Sequence, residues 1–409
     1  MLNNLTRFFF FKKYGFSIIA NVAISMFICL GLSAQNIKFS TYYNDSDIIK
    51  EEYFGFVNFS DTVREGEYKL FLTDGSLRQK GHYVNNLPHG LWYIYFNNGI
   101  VQQEINFVEG KRHGSYAAFD ESGELIQKAF YEFGELNGSF KTYYPDGSLE
   151  SELSYSKGVI NGVQKIYYPN GNMHKHYEAQ NDIENGFWIE YYDNESINYS
   201  GTKKNGVFCD TLKVYYRNGV LQRLSIYDNG LLNGLYIGYY ENGNKMIRSF
   251  YNNGILNGEY FEYYRGGELK VHGIYKDGLK IGIWKSYYPN FKLYTVGEFN
   301  NNRYHGEWLV YFPDGSIKQV GHYSEGHPEG NWTLLHSDGG LKESGEYVQG
   351  KENGAWLFFK EREYKTPEKI INYKMGKPDG PLWLYGPEGL EKFNIIKGQM
   401  INFKDMSKN

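Results

Sequence analysis

Stepping by 24 residues from Gly66 meets glycine at twelve of thirteen positions: Gly66, Gly90, Gly114, Gly138, Gly162, Gly186, Gly234, Gly258, Gly282, Gly306, Gly330 and Gly354, with Asp210 the exception. No insertion breaks the spacing, and a fourteenth copy begins at Gly380, displaced by two after residues 361–368. Nine residues past each start glycine recurs again, as at Gly75, Gly147, Gly219 and Gly315. A fixed period over most of a chain excludes separate globular domains. It predicts one array whose units are stabilised by their neighbours.

Within a copy, an aromatic-rich stretch at offsets +1 to +6 has strand propensity and ends in Pro/Asn/Asp-Gly, a hairpin signal. Gly306, Trp308, Tyr311, Phe312, Pro313, Asp314, Gly315 and Ile317 show the spelling well. A second strand runs from +10 to an aromatic at +17, and a glycine-containing turn leads to the next copy. Each copy therefore reads as a β-hairpin, and the fold as an all-β, elongated, twisted antiparallel sheet of tandem 24-residue hairpins.

Pro145-Asp146-Gly147 suits a type I turn followed by a left-handed glycine. That pairs +6 with +10 and +5 with +11. One face then carries the +5 aromatics with the +17 aromatics, and the other carries +2 and +6. A two-residue turn would swap the face of the second strand. Offset +5 is aromatic in every copy except at Leu335, while +6 is interrupted by Asp120, His336 and Lys360. The strict position is expected to be packing and the permissive one to face something less demanding.

The chain carries 43 Lys+Arg against 47 Asp+Glu, and the three basic residues before residue 35 are Arg7, Lys12 and Lys13. A mildly acidic chain has no surplus of cations to displace counterions, so nucleic acid is excluded as the main partner. An apolar run over residues 16–32 follows those cations and ends in Leu32-Ser33-Ala34. This layout predicts a signal peptide over 1–34 and export to the periplasm or beyond, with no integral span after cleavage. The alternative is an uncleaved anchor. The two cysteines, Cys29 and Cys209, leave the mature chain without an internal disulfide. The organisation expected is a leader (1–34), an N-terminal cap (35–65), about fourteen copies over 66–389 and a C-terminal cap (390–409).

Tyr251-Asn252-Asn253-Gly254-Ile255-Leu256-Asn257-Gly258-Glu259-Tyr260 and the stretch from Tyr83 to Trp92 resemble MORN repeats of the bacterial variant type. The resemblance covers residues 60–400 and is specific for the repeat, less so for function. Proteins of this kind are often grouped as YwqK-like antitoxins, which implies neutralisation of a toxin by binding. Other MORN arrays act as protein- or lipid-binding scaffolds. The copy at Gly186 departs from the pattern, with Glu195 and Asp210 where glycine is expected. Choline-type cell-wall-binding repeats are a rival resemblance with a shorter period.

Chemistry is sparse. His174 and His176 are two apart on a strand, without an identifiable third ligand; His89, His113 and His305 precede start glycines as turn residues. Cys209 has no nearby histidine, and no glycine run precedes a helical pattern. Neither catalytic residues, metal ligands nor a cofactor are expected. The surface with promise is the aromatic stripe Trp188, Tyr192, Tyr216, Tyr240, Tyr264, Trp284, Tyr288 and Trp308. Such rings either cover one another across strands or accept a peptide, a cation or a sugar. The function expected is a non-enzymatic exported scaffold with a protein partner. The alternatives are an antitoxin or immunity protein with a toxin partner, and a module binding cell-envelope glycan. Ala179 and Lys203, at +17 positions, mark an expected weak seam together with Glu195 and Asp210.

Overall fold

The computed structural model describes residues 36–44, 46–59, 61–386, 389–396 and 399–402; the expected leader lies outside them. The chain divides into two compact units, Met1–Ile160 and Asn161–Asn409. Each is antiparallel β-structure in which strands adjacent in sequence pair with one another, and no helix occurs among the described residues. The second unit shows the copy plainly. Leu231–Tyr239 pairs with Lys245–Asn252, which pairs with Ile255–Tyr263.

The hairpin turn follows from its residues. Gly243 N–H donates to the Tyr240 carbonyl at 2.8 Å, Tyr240 N–H donates to the Asn244 carbonyl at 2.8 Å, and Gly243 has φ +87°. This is the type I turn with a left-handed glycine, so +6 faces +10 and Tyr239 pairs with Lys245. The return turn is tighter than the sequence suggests. Asn252 pairs with Ile255 across Asn253 (φ 47°) and Gly254 (φ 82°), a two-residue type I′ turn. Gly254 N–H then donates to the Leu232 carbonyl at 2.7 Å, tying the turn to the preceding copy.

The faces differ from expectation because each hairpin from Gly66 to the copy at Gly330 holds a second irregularity. After Tyr239↔Lys245 the next pair is Gly238↔Ile247, leaving Met246 as an extra residue. The same slip recurs at Tyr143↔Leu149 and Thr142↔Ser151. One inserted residue inverts every side chain beyond it. The +13, +15 and +17 side chains therefore join +2 and +4, and the +17 aromatics do not share the +5 face.

That shared face is the core. Trp92 is 1% exposed and Trp284 4%, and Tyr116, Trp188, Leu212, Trp308, Trp332 and Trp356 are buried likewise; all are +2 residues. The +5 ring, expected to be the packed one, is only half-buried from Phe71 to Phe359 and exposed at Tyr385. The +2 and +17 rings alternate edge to face: Tyr275–Trp284 at 5.1 Å, Phe299–Trp308 at 5.2 Å, Tyr323–Trp332 at 5.0 Å and Tyr347–Trp356 at 5.0 Å. Space for the indoles comes from +15. A Cβ on Gly273, Gly297, Gly321 or Gly345 would fall within 2.4 Å of the next copy's Trp284, Trp308, Trp332 or Trp356. Where +15 is larger, the following +2 is smaller than tryptophan, as with Ala129 before Phe140 and Ser249 before Tyr260.

The seam departs from this rule. Tyr177 precedes Trp188, and Gly201 precedes Leu212. Ala179 is buried, while Lys203 pairs with Glu184 and holds its Nζ 4.8 Å from the centres of the Trp188 and Phe208 rings. Glu195 (φ 69°) and Asp210 (φ 62°) adopt the left-handed backbone that glycine takes elsewhere. At the ends, Ile37–Tyr42 pairs with Ile49–Asn58, and that strand with Asp61–Phe71, so residues 36–65 extend the first unit's sheet instead of folding over its edge. Gly389–Ile396 and Gln399–Asn402 extend the second.

Candidate functional site

The stripe expected to bind also holds neighbouring copies together. Trp188, Trp284 and Trp308 are buried core residues. Tyr192, Tyr216, Tyr240, Tyr264 and Tyr288 each donate the phenol hydroxyl to the +5 carbonyl of the next copy: Tyr215, Tyr239, Tyr263, Tyr287 and Tyr311, at 2.9–3.0 Å. Asn170, Asn242 and Asn290, two residues further along their turns, do the same with their side-chain amides toward Asp193, Arg265 and Pro313 carbonyls. These rings form a hydrogen-bonded edge. Register explains these bonds: a +6 side chain projects along the sheet toward the next turn, where the +5 carbonyl accepts its hydroxyl.

The opposite face carries +3 and +14, which pair directly across every strand and so form one continuous row in each unit. In the first unit the row reads Lys69, Lys80, Tyr93, Glu104, Ala117, Lys128, Lys141, Glu152. It is a largely charged row of four lysines and two glutamates, half-buried except at Lys128, with Lys141 and Glu152 paired at 3.0 Å.

In the second unit the same row changes character. From Lys213 it runs Leu224, Ile237, Arg248, Phe261, His272, Lys285, Val296, Leu309 and Val320. Neighbouring positions add Ile274 and Ile283, which are 42% and 53% exposed. Arg248 lies 5.0 Å from the Phe250 ring and 5.1 Å from Phe261, and His272 stacks on Phe261 at 4.5 Å. Cation and ring thus share one surface, which strengthens the contact where water is later excluded. At the edge made by the type I′ turns, Ile183, Val207, Leu231, Ile255 and Leu279 are all exposed. This is an apolar surface with embedded cations. Sequence reasoning missed it because it followed the repeated aromatics. The signal lay in the non-repeating +3 and +14 positions, which shift from Lys/Glu to aliphatic along the chain.

The other sequence candidates are placed without chemistry. His174 lies tilted against Tyr168 at 4.3 Å, and His176 meets the Phe187 ring edge at 4.6 Å. Burial, with Lys165 beside it, pushes the His176 imidazole below its ordinary pKa, as suits a packed neutral ring. No group of three or more metal-ligating side chains gathers among the described residues, and no described helix is long and apolar enough to cross a membrane.

The MORN repeat variant profile matches residues 64–85, 88–109, 136–157, 160–181, 211–229, 232–253, 256–277 and 304–325. The chain carries MORN repeats. Each match falls on one hairpin of the 24-residue array. The hairpins at Gly114, Gly186, Gly282, Gly330, Gly354 and Gly380 lie outside the matches, and the first five depart in their turn residues, at Asp120, Glu195, Phe291, His336 and Lys360. The hairpin persists in them nonetheless. No curated protein matches the chain. Among solved structures it is similar to chains in the crystal structures of TcdB2-TccC3 (11% identity, 93% of this chain and 26% of that one, TM-score 0.16) and TcdB2-TccC3-Cdc42 (9%, 91% and 27%, TM-score 0.12). The MORN chain spans about a quarter of their length. Likeness at that level carries no argument about fold or function.

Proposed function

We propose that the chain is a non-enzymatic MORN scaffold, exported by its N-terminal segment, that binds another protein on the apolar row of its second unit. The observation carrying this reading is the contrast between the two faces. One face closes on itself through the tryptophan–tyrosine ladder. The other leaves Ile237, Phe261, Ile283 and Leu309 without a covering layer among the described residues. Contiguous exposed apolar surface rimmed by charge is the mark of an interaction site.

A photo-crosslinking amino acid in place of Ile237 or Leu309 tests the reading in cells. Crosslinks to a second polypeptide are expected from both positions and not from Lys128 in the first unit's row. Silence at Ile237 and Leu309 would overturn it.

A further inference from the structure

We infer that the docking row of the second unit is built for an acidic polypeptide segment with apolar side chains between its carboxylates. The inference rests on the docking-face reading and adds the chemistry of the occupant. In a chain of net charge −4, the directly paired row from Lys165 to Thr333 holds Lys165, His176, Lys213, Arg248, His272 and Lys285 and no carboxylate. Lys213 and Lys285 are exposed and make no ion pair among the described residues. Arg248 has only a long contact, 3.7 Å, to Glu259 in the neighbouring row. His272 Nε2 is buried and lacks a hydrogen-bond partner among the described residues, although its ring is fixed against Phe261.

Register sets the spacing. With strands about 4.8 Å apart, Lys213 to Arg248 spans about 14 Å, Arg248 to His272 about 10 Å, and His272 to Lys285 about 5 Å. About nine extended residues or nineteen helical ones would reach from the first cation to the last. Leu224, Ile237 and Phe261 fill the gaps between cations, which suits alternating acidic and apolar side chains. A phosphate polymer would want the cations without the intervening aliphatics.

Fluorescence anisotropy on the full mature chain tests this. The probe is a labelled twenty-residue peptide of glutamate, leucine and alanine, compared with the same peptide carrying lysine for each glutamate. Phosphatidylglycerol vesicles form a separate arm. Binding of the acidic peptide alone is expected, weakening at least tenfold in Lys213→Glu/Arg248→Glu/Lys285→Glu. The double Lys213→Glu/Lys285→Glu, which alters only exposed side chains, should weaken it in the same direction. Lys69→Glu/Lys128→Glu in the first unit should leave it unchanged. Equal affinity for the lysine peptide, indifference to the reversals, or binding to vesicles alone would overturn the inference. If crosslinks from Ile237 persist in the triple variant, the docking face stands and the acidic occupant falls.

Discussion

Trp308 lies flat against Gly297 of the preceding copy, so closely that a Cβ on that glycine would sit 2.0 Å from the indole. The indole nitrogen donates to the Glu298 carbonyl at 3.0 Å, fixing the ring in place. Gly297→Ala should therefore cost about 1–3 kcal/mol by overpacking, and Trp308→Ala about 3–5 kcal/mol. The two changes share one space, so Gly297→Ala with Trp308→Leu should lose less than the sum of the single losses. Local stabilities from native-state hydrogen exchange check this, and strict additivity would deny that the pair shares a space.

The tyrosine edge gives a second expectation. Tyr240→Phe removes one hydroxyl donor to the Tyr263 carbonyl and should cost about 1 kcal/mol. Tyr240→Ala should cost more, at least as much as Tyr239→Ala, while crosslinking from Ile237 is unchanged in the Phe variant. Loss of partner capture in Tyr240→Phe at full stability would return the aromatic stripe to the binding site.

At the seam, a non-glycine residue in the left-handed region carries about 1–2 kcal/mol of strain. Glu195→Gly and Asp210→Gly should each slow hydrogen exchange across residues 175–210 while leaving residues 230–290 unaffected, since array stability is local. In the natural chain the first window should exchange faster than the second. A faster rate after either substitution would show that those side chains hold the turn.

Alkaline pH should loosen the ring ladder. Burial pushes the Tyr260 phenol up to about 12, and Tyr116, Tyr275 and Tyr323 are raised by the same cause. A folded-state pKa above the unfolded value near 10 contributes stability that is complete below about pH 10. That stability is lost as pH climbs through about 12. Tyrosinate absorbance should rise in two stages: exposed rings near pH 10, buried rings only as the sheet unfolds. A single transition at pH 10 with the fold intact would contradict the burial.

Much of this was legible because repetition makes one sequence behave like many. The glycine spacing located the hairpins from Gly66 onward, and Pro145-Asp146-Gly147 identified the turn. What could not be read was the slip after +11, since the extra residue is Glu150 in one copy and Met246 in another and leaves no mark. That single residue put Tyr251 beside Tyr236 in the core, their rings 5.9 Å apart, and turned the expected packing face outward. The binding row escaped notice for a related reason: a function carried by one stretch of an array is written where copies differ.

Hydroxyl-radical footprinting of the chain in its own cells, against the purified chain, tests the central claim most directly. Protection is expected at Ile237, Phe261, Ile283 and Leu309, with Tyr93 and Phe130 of the first unit labelled equally in both samples. Protection confined to the first unit, or none at Ile237 and Phe261, would contradict a docking face on the second.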